Sequence, residues 1–307
     1  MQRSVPFSER LRKDFRRYQL IYLMAVPLVL YYAIFHYGTM YGAIIAFKNF
    51  SPGKGIWGSP WVGLKHFESF FNSIYAERVV RNTLYLSFGT ILYGFPAPIL
   101  LALLLNELRS ERLKRLTQTV SYLPHFISLM VVCGMIIDFT ASEGLINDLV
   151  ALLGGKRETM LLKEGYFRPI YIISDIWQGI GWGSIVYLSA LTAIDPALYE
   201  AATIDGAGRL RRVWHITLPG ISSTIVVMLI LRMGRMMNIG FEKIILLYNP
   251  TIYETADVIS SFVYRKGLQD FNYSFSTAIG LFNSLINTVL VVGMNQLSRR
   301  YSETSLW

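Results

Sequence analysis

Two arginines three residues apart, inside a run with no other charge, carry the first chemical signal in this sequence. Arg232 and Arg235 sit in LRMGRMMNIG, and at that spacing a helix puts both on one face. A fixed pair of guanidinium groups suits carboxylates, which each can grip through two parallel N–H bonds. Asp175 and Gln178 repeat the spacing in SDIWQGIG, His125 follows Pro124, and Asn283 and Asn287 lie four apart. Trp177 and Trp182 offer flat faces for stacking on sugar rings. Each feature also has a structural reading, and the residues alone leave both open. In that reading the arginines snorkel from a shorter helix to the surface, and Asp175 merely pairs with one of them. The asparagines bond helix to helix, His125 is a hydrogen-bonded core residue, and the tryptophans belong to an interfacial belt.

Nothing in the chain sets out bond-making chemistry. His36, His66, His125 and His215 are scattered, and Cys133 is the single cysteine. No spacing suggests a metal, so catalytic residues and metal ligands are expected to be none. Gly154-Gly155-Lys156 lacks the earlier glycine and the following Ser or Thr of a phosphate loop. No cofactor is expected on this chain, and work driven by ATP requires a partner ATPase carrying ATP and magnesium.

The elements that position these residues follow from composition. Of 307 residues 53% are hydrophobic and 16% charged, against about 25% charged in soluble domains, and the mean hydropathy is +0.39. Uncharged runs at 18–47, 82–106 and 271–298 exceed the roughly 20 residues that span a bilayer as a helix. This excludes a soluble enzyme, a disordered chain and a secreted disulfide scaffold. The reading is an all-α membrane protein with six spans, at 18–42, 82–106, 117–137, 169–194, 216–240 and 272–297. The first apolar run is too long for a signal peptide and no small-residue cleavage site follows it, so it reads as a retained anchor. Residues 1–17 form a basic cytoplasmic segment and 8–18 an interfacial helix, 18–297 the permease domain, and 298–307 a cytoplasmic tail.

Charge sets the orientation. The ends and the loops at 107–118 and 195–215 hold 15 Lys and Arg in about 60 residues, and the alternate loops 10 in about 95. By the positive-inside rule both termini are cytoplasmic. The net charge of +9 then reflects membrane lipid and loop bias rather than nucleic acid.

The loop at 195–217 is the most informative. Asp195-Pro196 reads as an N-cap followed by the first helical position, Ala197–Ile204 as a short helix, and Asp205-Gly206-Ala207-Gly208 as a reversal. A second short helix leads to Leu218-Pro219. Glu200-Ala201-Ala202, Gly206, Ile216 and Leu218-Pro219, at these offsets, resemble the EAA signature of binding-protein-dependent ABC importer permeases. WVGLKHF, GFPAPILLALLLNELR, SYLPHFIS, YNPTIYETADVIS and AIGLFNSLIN resemble its sugar branch, the LplB-like and maltose-permease-like chains.

That resemblance implies a type I ABC importer permease fold. It implies that Glu200, Ala201, Ala202, Asp205, Gly206, Ala207, Leu218 and Pro219 couple to the ATPase. Aligned on the maltose permease, the sugar contacts match Ser121, His125, Asp175, Gln178, Gly179, Arg232, Arg235, Met236 and Ile239. The maltose pattern is neutral where this chain has two arginines, which sharpens the expectation to an acidic, uronate-containing oligosaccharide. The implied partners are a second, related permease in a heterodimer, two copies of a cytoplasmic ABC ATPase and an extracellular or periplasmic solute-binding protein, all at a bacterial plasma membrane. The alternatives are an ion-gradient-driven secondary transporter, which calls for inverted repeats with broken helices, and an ABC permease for a non-sugar anion such as a phosphate ester. A membrane-embedded enzyme lacks a catalytic cluster, and a channel lacks a filter.

Overall fold

The computed structural model describes residue 15 and residues 17–301, so the basic segment 1–17 and the tail from 302 lie almost wholly outside the described residues. Among the described residues the chain is helical, with no strand beyond an isolated bridge between Lys48 and Trp61.

Eleven helices carry the argument. They are α1 (Gln19–Phe47), α2 (Ala76–Glu107), α3 (Glu111–Tyr122), α4 (Leu129–Leu152, interrupted at 141–144) and α5 (Glu164–Leu191). Then come α6 (Pro196–Ile204), α7 (Arg209–Gly220), α8 (Ser222–Met233), α9 (Phe241–Leu247), α10 (Ile259–Tyr264) and α11 (Tyr273–Tyr301). Four of them, α1, α2, α4 and α11, are long and apolar enough to cross a membrane, and five if α7 and α8 count as one bent span. The 28-residue α5 is long enough, at about 42 Å, but more polar than these four. It packs among α2, α3 and α8 rather than standing alone. Flanking protein accepts Ser174, Asp175, Gln178 and Ser184 where lipid would not.

Two expected spans are broken. The third, at 117–137, is α3 followed by a 3-10 turn at Leu123–Phe126 and a fresh start at α4. Pro124 has no N–H to continue the ladder, and the Ser128 hydroxyl caps the new helix by accepting from the Val131 N–H at 3.4 Å. The fifth, at 216–240, bends by 61° between α7 and α8 and ends as a helix at Met233. Residues 234–240 are non-helical.

Three apolar clusters hold the bundle. One joins Leu86, Cys133, Phe167, Tyr171 and Ile244. A second packs Phe70, Val79, Phe262 and Ile279. A third, around Ile99, Ala102, Tyr187, Leu191 and Ile221, ties α2, α5 and the start of α8 together near α6. Gly181 lets α3 lie against α5, since a Cβ there would sit 2.0 Å from the Ser121 carbonyl oxygen. In contrast, no residue in the apolar window of α1 is buried.

At the end of the bundle far from α6, a buried carboxylate fastens the loops. Asp257 is fully buried and accepts from Arg78 Nη2 at 3.1 Å and from Arg265 at 2.9 and 2.6 Å. Asn82 donates to the carbonyls of Glu254 and Asp257, both at 2.9 Å, while Arg168 donates to Asn82 Oδ1 at 2.7 Å. Burial pulls the Arg265 pKa down, but hydrogen bonds to Asp257 and Tyr248 outweigh it and leave the group raised.

Candidate functional site

The break after α8 builds the site. Backbone groups released from a helix ladder must find other partners, and side chains of α2 and α11 supply them. Ser87 Oγ donates to the Met236 carbonyl at 2.6 Å, and the Met237 N–H donates to Asn287 Oδ1 at 3.0 Å. Asn238 Oδ1 accepts from Asn283 Nδ2 at 2.9 Å and Asn287 Nδ2 at 3.2 Å. The two asparagines of α11 therefore hold the unwound segment in place, rather than joining two intact helices or reaching into a cavity.

Around that segment lies a cavity of about 250 Å³, lined among others by Tyr171, Asp175, Gln178, Arg232, Arg235 and Lys243. Met236 and Ile239 complete its wall. Six of the nine expected sugar-contact residues thus share one cavity. Gly179 lines an adjoining cavity of about 310 Å³, which Asp175, Trp182 and Arg232 also border. Ser121 lines a third hollow with Trp177 and Ile180. His125 stacks on Trp182 with ring centroids 4.5 Å apart and planes 4° apart. Gly179 and Ser121 border hollow spaces beside α5, and His125 packs on Trp182, without joining the first cavity.

The cavity carries three cations and one anion. Asp175 Oδ2 lies 3.8 Å from Arg232 Nη2, and Oδ1 lies 3.9 Å from Lys243 Nζ. Arg235 is exposed and makes no side-chain hydrogen bond or ion pair among the described residues. Neither arginine is placed by a continuous helix face. Arg232 sits in the last turn of α8, and Arg235 in the turn that follows. Lys243, Tyr171, Thr90 and Asn238 belong to the lining and were not legible as such. Lys243 had counted as a loop charge, and its only mark was a lone cation in the apolar string FEKIILL.

The loop 195–217 folds as expected. The Asp195 carboxylate caps α6 by accepting from the Ala197 N–H at 2.9 Å. Gly206, at φ +73°, ends it. The Ala207 N–H reaches the Ala202 carbonyl at 2.8 Å and the Gly206 N–H the Thr203 carbonyl at 3.1 Å, a Schellman closure. Glu200, Ala201, Asp205, Gly206 and Pro219 are exposed, while Ala202, Ala207 and Leu218 are half-buried. Tyr199 Oη and Thr217 Oγ1 pair at 3.1 Å, and Arg212 Nη1 donates to Thr203 Oγ1 at 3.2 Å, clamping α6 onto α7.

Comparison with known proteins agrees with this architecture. Residues 94–303 match the family of binding-protein-dependent transport system inner membrane components. The chain is 45% identical over 288 residues to the polygalacturonan/rhamnogalacturonan transport system permease protein YteP of Bacillus subtilis (strain 168), covering 94% of this chain and 90% of that one. It is 44% identical over 293 residues to protein LplB of the same organism, covering 95% and 92%. A solved bacterial alginate ABC transporter, in complex with an alginate pentasaccharide-bound periplasmic protein, superposes with a TM-score of 0.90 at 45% identity. That match covers 97% of this chain and 100% of the other.

Proposed function

Because the chain belongs to the family of binding-protein-dependent transport system inner membrane components, we propose that it is the half-pore through which acidic oligosaccharides pass in an ATP-driven importer. Membership makes it a membrane transport subunit, not an enzyme. The observation that carries the substrate class is the pair Arg232 and Arg235 on one cavity, with Arg235 unpaired among the described residues. A uronate unit brings a planar carboxylate to a planar donor fork. The names of two similar proteins point the same way: one carries polygalacturonan, and the other is an importer of the acidic polysaccharide alginate.

In this reading six segments cross the membrane with both termini cytoplasmic, and residues 18–297 form the permease domain. A second, related permease completes the pathway. A solute-binding protein delivers the sugar at the end of the bundle that holds Asp257. Of two ATPase subunits carrying ATP and magnesium, one seats on this chain at α6 and the turn after it, through Glu200, Ala201, Ala202, Asp205, Gly206 and Ala207, and the other on the second permease. Leu218 and Pro219 carry their motion onward. The clamp of α6 on α7 supports this, because a rigid seat turns domain motion into helix motion. From there α8 runs as a rod of 12 residues, about 18 Å, to the cavity wall at Arg232.

The test is uptake into proteoliposomes holding this chain with its co-purifying subunits and loaded binding protein. Tetragalacturonate should enter with ATP, and Glu200→Ala should abolish both ATPase association and uptake. Entry without ATP that survives Glu200→Ala would replace the importer by an ion-gradient-driven carrier.

A further inference from the structure

Lys243 stands apart from the other cations of the cavity because it is dry. Its side chain is 4% exposed, on a helix whose Ile244 and Leu247 belong to the core. An ammonium carries three N–H donors. Among the described residues Nζ makes one hydrogen bond, to the Tyr171 carbonyl at 3.3 Å, and rests 4.8 Å from the Tyr171 ring centroid. Its carboxylate neighbour is Asp175, at 3.9 Å. The other oxygen of that carboxylate lies 3.8 Å from Arg232. A tight charge-assisted bond closes to about 2.8 Å, so both contacts are roughly 1 Å too long. Asp175 is thus shared between two cations and bound firmly by neither, and its side chain is 39% exposed. A buried ammonium with one neutral acceptor and a distant anion is short of partners, and this one borders the cavity that the two arginines also face.

We propose that Lys243 is a third carboxylate-binding cation of this site and that Asp175 is its resident counter-charge, which an incoming uronate carboxylate displaces from Lys243 and Arg232. The proposal rests on reading the cavity as an acidic-sugar site. The exchange swaps one carboxylate for another, so the cations stay matched throughout. A neutral sugar has no group that can take the place of Asp175, and the device therefore selects against it. A tethered competitor acts at high effective concentration. It holds affinity down, which a transport site needs because its cargo must also leave.

Calorimetric titration of the purified importer complex, without binding protein, decides this. The probes are tetragalacturonate and its carboxyl-reduced, neutral counterpart. Lys243→Met should weaken tetragalacturonate about tenfold or more and leave the neutral sugar unchanged, with Lys243→Arg restoring most of the loss. Asp175→Asn should tighten tetragalacturonate several-fold while slowing uptake, and it keeps the question open to test if Lys243→Met does not fold. Equal effects of Lys243→Met on both sugars, no effect on either, or weaker tetragalacturonate binding in Asp175→Asn would overturn the proposal. The double variant Arg232→Gln/Arg235→Gln separates the two claims. If the unaltered complex shows no preference for the acidic sugar, the acidic-sugar reading itself fails; if the double variant keeps the preference, the two arginines do not carry it. If it removes the preference while Lys243→Met changes nothing, only the role of Lys243 fails.

Discussion

A buried charge is worth what its partners make of it. Asp257 neutralises Arg78 and Arg265, whose side chains are 21% and 16% exposed. Asp257→Asn leaves Arg265 without an anion and Arg78 with only Glu254, at 4.0 Å, and removing one member of such a buried group costs about 3 kcal/mol or more. A clear fall in the melting temperature of the detergent-solubilised complex is expected. Glu254→Gln breaks the exposed Arg81 pair and should cost under about 1 kcal/mol, so an equal fall would contradict the assignment. Residue types announced part of the cavity, since Asp175, Gln178, Arg232 and Arg235 do converge on it, and Met236 and Ile239, which only the resemblance to the maltose permease supplied, join them. They could not announce Lys243 or the Asp257 cluster. In both, distant segments bring charges together, and a charge count along the chain treats each as one more loop residue.

Helices gave up their existence more readily than their breaks. Hydropathy finds α1, α2 and α11 because an apolar run is all it needs. The same run continues through 234–240, where the ladder has already ended, so the span read as unbroken. The asparagines that stabilise the break lie 45 or more residues away. Asn287→Leu strips partners from the Met237 N–H and from Asn238 and should cost about 1–3 kcal/mol. It should also impair uptake while α6 still binds the ATPase; normal uptake would show that the segment tolerates a different path. Capping chemistry, being local, was legible in the loop 195–217, although the Ser128 cap inside the expected third span was not read. Asp195-Pro196 and Gly206 fixed both ends of α6. Gly206→Val places a β-branched residue at φ +73°, should cost about 1–2 kcal/mol, and should lower ATPase stimulation by loaded binding protein.

For the whole molecule, the balance of polar and apolar surface is the informative quantity. The apolar window of α1 buries nothing in its own chain, and Met24 is 79% exposed. In the assembled importer a photoactivatable cross-linker attached to Met24→Cys, in the Cys133→Ser background, is expected to capture the second permease; capture of lipid alone would deny that packing. Conversely, α5 carries more polar residues than the apolar spans, and α2, α3 and α8 pack against it. Composition gave the class of molecule, and the charge bias gave a direction, but neither carries information on which helix lies at the centre. That depends on which faces meet, as Gly181 meets Ser121.

The contrast between α8 and the segment after it has a mechanical consequence. Twelve residues of α8 share one backbone ladder and resist bending together. The next seven have no continuous ladder; isolated turn bonds, such as the Asn238 N–H to the Arg235 carbonyl at 2.9 Å, and side-chain bonds from Ser87, Asn283 and Asn287 hold them, and these can lengthen one at a time. A load applied at the far end therefore meets a stiff strut ending in a compliant tip. Deformation gathers at the tip, beside Arg235, and little is spent along the way.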